Sequence, residues 1–167
     1  KPHPLNMSSI MGDIKEVCNN RLSLALIFYA MLIFTPLLVF KDSLGNTFFK
    51  QYYGFSTIES INLMDIILYA SIIAAPALGA ISDRMGKRKP IIVITPYMLI
   101  LTFILVLFRA DLSLAIPPYL FASFVFFAFG FFSWGFLLSY SVFKETHTPA
   151  IISTGLGFMN SVNMVGG

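Results

Sequence analysis

The 167-residue chain is 57% hydrophobic and only 11% charged, with a net charge of +3 and a mean hydropathy of +0.81. Soluble domains average about 25% charged residues, and a core of this size has no room for several apolar runs near the ~18-residue length of a spanning helix, so a soluble fold is excluded. The lone Cys18 excludes a disulfide framework, and no Cys/His spacing suggests a metal. The cations sit between apolar runs, where orientation in a bilayer accounts for them better than nucleic acid does.

In chain order, residues 1–20 form a mildly polar leader carrying Asp13, Lys15 and Glu16, expected as a short interfacial helix, with no cleavable signal pattern. The first span is expected over residues 22–40, between Arg21 and Lys41; its Tyr29 shares a face with Pro36 and is either a packing residue or part of a pore lining. Residues 41–56, rich in Phe, Tyr, Gly and Asn, read as the one long connecting loop. The second span, 57–82, opens on Ser56-x-x-Glu59, a capping box that satisfies the first free amides of a helix. Past that cap, Asp65 is the only formal charge within a predicted span, about 12 Å along it at ~1.5 Å per residue. Asn62 and Tyr69 flank it at i−3 and i+4, making a polar stripe that should face a cavity rather than lipid. Asp65 is then either a coupling carboxylate or a hydrated or paired acid; placed at mid-bilayer it would cost about 2.5–3.5 kcal/mol.

A basic hairpin follows, Gly79-Ala80-Ile81-Ser82-Asp83-Arg84-Met85-Gly86-Lys87-Arg88-Lys89-Pro90, wedged between the charge-free stretches 66–82 and 90–108. Gly79 is expected to let the second span approach a neighbour closely, and Gly86 to supply the reversal. Asp83 falls at a helix C-terminus, where the dipole disfavours a carboxylate unless a cation meets it; Arg84 or Arg88 serves, and Glu145 is a second acid for either. The third span is 90–108, with Pro90 in its first turn, where a missing N–H does no harm. The fourth lies within the uncharged stretch 112–143 and is drawn from Pro118 to residue 141. Its many phenylalanines read as lipid-facing bulk, and its small residues fall on two stripes, Ser123/Gly130 and Ala128/Gly135/Ser139, which suit a helix gripped by two neighbours. The fifth, 150–167, places Ser153, Gly157, Asn160, Asn163 and Gly167 on one side, either a packing seam or the wall of a substrate path, with Asn160 the best neutral group for touching substrate. His3 and His147 lie in loops and read as solvated. Strands are excluded because no run alternates and open sheet edges fail in lipid.

If the first span starts inside, the inner loops hold Lys1, Lys15, Arg21, Arg84, Lys87, Arg88, Lys89 and Lys144, and the outer loops hold Lys41, Lys50 and Arg109. Eight against three places the leader and the hairpin in the cytoplasm. No nucleophile–base pair, phosphate-cradling Gly loop or nucleotide motif is present, which argues against a membrane enzyme or an ATP-driven pump and for no cofactor. The chain opens on Lys1 and ends on Gly166-Gly167 within an apolar run, and so reads as a fragment.

The hairpin resembles the signature loop of the major facilitator superfamily, roughly G-x-L-x-D-R-x-G-R-R/K-x. Gly79, Asp83, Arg84, Gly86 and Arg88 match in place, with Ile81 standing for Leu and Lys87 for Arg. The resemblance implies an all-α integral membrane bundle of about five helices from one six-helix half, residues 21–167, with the leader as the tail of a central cytoplasmic loop. It implies that the hairpin latches the cytoplasmic side and helps switch inward- and outward-facing states. Two observations favour the C-terminal half. The fourth span lacks a membrane arginine, and the run from Glu145 to Pro149 followed by Thr154–Asn160 is similar to the tenth-to-eleventh helix passage of bacterial facilitators. The expected protein is a secondary active transporter of a small solute in the inner (plasma) membrane, ion-coupled and completed by an N-terminal half. A non-transporting receptor or scaffold on the same fold is the alternative.

Overall fold

The computed structural model describes residues 7–108 and 116–166; Lys1, His3, Arg109 and Gly167 lie outside them. All regular elements among the described residues are helical. Helix α1 covers Met7–Asn19, α2 Arg21–Val39, α3 Gly45–Tyr52, α4 Thr57–Met85, α5 Lys89–Leu107, α6 Pro118–Ser133, α7 Leu137–Thr146 and α8 Pro149–Gly166. Four continuous helical paths are long and apolar enough to cross a membrane: Arg21–Tyr52, Thr57–Met85, Lys89–Leu107 and Pro118–Thr146. Helix α8 has the length, but its Ser, Thr, Gly and Asn residues make it less apolar than these four.

Local chemistry explains the helix ends. The Asn20 side chain caps α2, accepting from the amides of Leu22 at 2.9 Å and Ser23 at 3.3 Å. The capping box of α4 is formed reciprocally: the Glu59 amide donates to Ser56 Oγ at 3.3 Å and the Ser56 amide donates to Glu59 Oε2 at 2.8 Å. Gly86 ends α4 in the left-handed region, at φ 60°, with its N–H on the Asp83 carbonyl, so the reversal expected of it is what it provides.

Residues 41–56 are not the loop that their composition suggests. A π-helical turn, Phe40–Leu44, carries α2 into α3, and only residues 53–56 break the helix before α4. Burial overrides the weak helix propensity here. Phe49 is fully buried with its ring edge-on to Phe126 at 4.7 Å, and Phe40 stacks on Phe126 at 5.1 Å. The extra residue in the turn changes which side chains face inward, bringing Phe40, Phe48 and Phe49 into one aromatic cluster.

That cluster also corrects the reading of the fourth span as lipid-facing bulk. Phe121, Phe126, Phe129 and Phe136 are buried, Phe131 and Phe132 are half-buried, and Phe124 and Phe127 are exposed, Phe127 with its ring stacked on Phe131. Helix α6 is the hub, packed against α4 over the most extensive helix pair in the molecule and against α5 next. The two small-residue stripes are where it is gripped. A methyl on Gly130 would stand 2.6 Å from the Ile67 carbonyl oxygen of α4, and one on Gly135 would run into Thr95 of α5. The span also continues past residue 141 to Thr146 through a 3₁₀ turn at Trp134–Phe136.

The other large pair is α2 with α8. The leader is helical as α1, and it is docked as well: Val17 is fully buried and Thr154 Oγ1 of α8 donates to Asp13 Oδ2 at 3.0 Å. His147 is not a solvated loop residue. Its ring stacks on the buried Phe143 at 4.0 Å, Nδ1 meets the Phe143 carbonyl at 3.0 Å and Nε2 meets Ser23 Oγ at 2.8 Å. Residue 147 follows the last turn of α7 directly, so its ring folds back on that turn and reaches the start of α2.

Candidate functional site

One guanidinium ties three helices together at the hairpin end of the bundle. Gly86 turns the chain so that Arg88 precedes the first turn of α5 and faces back toward α4 and α7. Arg88 Nε donates to Glu145 Oε1 of α7 at 2.6 Å, while its Nη1 lies 3.3 Å from Asp83 Oδ1 and 3.3 Å from Ser82 Oγ of α4. Ser82 is buried and the Arg88 side chain only 24% exposed, against 69% for Asp83 and 54% for Glu145. The cation also stands where the carbonyl end of α4 disfavours the Asp83 charge. Of the two arginines expected to meet these acids, Arg88 does so, whereas Arg84 and Lys87 are exposed with no acidic partner among the described residues. Gly79 does not serve a close approach within this chain, since a methyl there would meet nothing within 4 Å.

Asn62, Asp65 and Tyr69 fall together on the face of α4 turned away from its buried stripe of Leu63, Ile67, Ala70 and Ala74. All three are exposed, Tyr69 by 60%, and Asp65 has no hydrogen-bond or ion-pair partner among the described residues. On α8 the expected polar side divides. Ser153, Gly157 and Asn160 are exposed, whereas Asn163 is fully buried and donates from Nδ2 to Tyr140 OH at 2.9 Å, leaving its Oδ1 without a partner. Tyr29 is half-buried and bonds Thr95 Oγ1 of α5 at 2.5 Å, so it joins α2 to α5 rather than Asp65 or Asn160.

Toward the hairpin end, α4 and α7 separate around a groove of about 340 Å³, with Ala75, Leu78 and Gly79 on one wall and Tyr140, Ser141 and Lys144 on the other. Trp134, Leu137, Leu138 and Leu156 complete its lining, so α8 also borders it. The groove leads to the turn that Arg88 clasps. A family model described as Major Facilitator Superfamily matches residues 2–167. The chain belongs to the major facilitator superfamily. Neither the curated proteins nor the solved structures offer a match.

Membership makes this a multi-pass membrane protein of a transporter superfamily, whose members act on small molecules within a lipid bilayer. The uncovered helix faces of this facilitator are of two kinds. That of α5, with Val93, Ile94, Tyr97, Ile100 and Ile104, is apolar apart from one phenol, as a lipid contact requires. Those of α4 and α8 carry a carboxylate and amides, which lipid penalises. Trp134, Tyr140, Ser141 and Lys144 were not picked out as site residues from the sequence. The signal available was the polar repeat Tyr140–Ser141–Lys144, which ending the span at residue 141 splits and the surrounding phenylalanines obscure.

Proposed function

We propose that this chain is one half of a secondary transporter that moves a small solute by alternating access, coupled to an ion gradient. The observation that carries the reading is the set of polar groups, Asn62, Asp65 and Tyr69 on α4 and Asn160 on α8, that stand on uncovered faces beside exposed apolar residues such as Ile58, Ile61 and Ile72, with both helices bordering the groove along α7. In a bilayer such faces must meet water, solute or the other half of the protein, because hydrocarbon would charge kilocalories for Asp65 alone. Two halves related about the membrane normal, with solute held between them, meet that requirement. Asp65 serves as the coupling carboxylate, Asn62, Tyr69 and Asn160 line the path, and Asn163 acts from behind by fixing the Tyr140 phenol. The clasp of Asp83, Arg88 and Glu145, gathered by the reversal at Gly86, closes the cytoplasmic end in one state and opens in the other. The leader and hairpin then lie in the cytoplasm of a cell whose inner membrane holds the protein.

Proteoliposomes carrying the full-length protein test this. Counterflow of a solute establishes transport and excludes a receptor on the same fold. The Asp65→Asn variant is expected to lose gradient-driven accumulation while keeping downhill exchange, which needs no net ion movement. Accumulation that survives in that variant removes Asp65 from coupling.

A further inference from the structure

The hairpin's cations have unequal surroundings, and two of them point to a second ligand. Arg88 takes both nearby carboxylates, Asp83 and Glu145. Lys87 and Lys89 are left exposed with no acidic partner among the described residues, and both line a groove of about 530 Å³ on the outer side of α5. The rest of that groove is Pro90, Val93, Ile94 and Tyr97, with Tyr97 67% exposed. Below it the uncovered face continues through Ile100, Leu101, Ile104 and Leu107 without a charge.

We infer that this groove binds an anionic diacyl phospholipid. The ordering of its walls decides the occupant: two lysine stems at one end, their ammonium groups standing free of the lining, then an open apolar face down a membrane helix. A lipid phosphodiester with net negative charge fits the first part and its acyl chain the second. A zwitterionic lipid covers that face equally well but leaves two cations uncompensated, while a soluble acidic peptide has nothing to set against Val93 and Ile94. Lysine suits the task, since its flexible stem can lie on apolar surface while the ammonium reaches the headgroup. Lys87 thereby acts at the lipid side of the turn, while Arg88 acts on its protein side.

Photocrosslinking in nanodiscs tests the assignment. Full-length protein is placed in phosphatidylcholine discs doped with phosphatidylglycerol that carries a photoreactive acyl chain, and the adducts are mapped by mass spectrometry. Adducts are expected on the segment Val93–Tyr97, with yield falling about fivefold for each of Lys87→Gln and Lys89→Gln, the equivalent of ~1 kcal/mol per interfacial cation. Lys15→Gln, on α1, should leave the yield unchanged. Equal labelling by a phosphatidylcholine probe, adducts confined to other helices, or full yield in the double Gln variant each overturn the proposal. The first two readings need only the wild-type protein, so they hold even where a variant folds poorly.

Discussion

Glu145→Gln isolates the stronger arm of the clasp, because it removes the charge while keeping the shape of the side chain. The Arg88 Nε to Glu145 Oε1 contact is short at 2.6 Å, and the arginine is three-quarters covered, yet the glutamate is half in solvent. Hydrogen bonds to charged groups contribute about 1.5–3 kcal/mol when shielded, and exposed ion pairs about 0.2–1 kcal/mol. The geometry lies between these cases, so the loss should be about 1 kcal/mol, or a fivefold shift between closed and open hairpin ends. Asp83 sits farther away, at 3.3 Å, and is 69% exposed, so Asp83→Asn should shift the balance only about twofold. Both acids act through one guanidinium, so Arg88→Gln should match the double carboxylate variant, at roughly tenfold, rather than exceed it. The readout is the labelling rate of Ser141→Cys, on the groove wall, in full-length protein with Cys18 replaced by serine. Labelling should quicken in the order Asp83→Asn, Glu145→Gln, Arg88→Gln. A larger effect at Asp83 than at Glu145, or none at Arg88, would refute the clasp as the element that holds this end shut.

Three further outcomes follow from the packing and the topology. Gly130→Ala forces α6 and α4 apart, since a methyl would stand 2.6 Å from a backbone oxygen; it should cost about 1–3 kcal/mol and lower the melting midpoint in detergent, while Gly157→Ala, whose methyl meets nothing within 4 Å in this chain, should not lower it. Ser56→Ala removes the α4 cap and should cost about 1 kcal/mol in the same assay, with Ser56→Thr retaining most of it. In intact cells, a cysteine at Lys87 should resist an impermeant thiol reagent that modifies one at Lys50; rapid labelling at residue 87 reverses the proposed orientation.

The helices were legible wherever one physical signal dominated. Apolar length pointed to the second and third spans, and Ser56, Glu59 and Gly86 marked the two ends of α4 because capping is local chemistry. Errors arose where tertiary contacts decide. Nothing local makes residues 40–52 helical; they are so because Phe40 and Phe49 find Phe126, more than seventy positions on. The same contact turns phenylalanines that look lipid-facing into core. His147 was misread for a related reason, since its partner Ser23 is 124 residues away. Among the site residues, Asn62, Asp65 and Tyr69 share a face because helical spacing dictates it, whereas Asn160 and Asn163 part company because α2 and α7 cover only one of them.

The hairpin shows how far a motif constrains its geometry. Four cations between residues 84 and 89 look equivalent in sequence, and a rule that counts charge treats them so. The αL turn at Gly86 makes them unequal, because it sets the direction in which each following side chain leaves the chain. Arg88 comes two residues later, at the threshold of α5, and faces the bundle, where Asp83 and Glu145 close on it. Lys87 and Lys89, one position to either side, line the outer groove. A residue with a Cβ at position 86 would strain the turn and rotate this arrangement as a whole. Gly86→Ala should therefore weaken the clasp and the lipid groove together, which no single-cation substitution would do. Losing only one of the two in that variant would show that they are positioned independently, and that the turn does not set both.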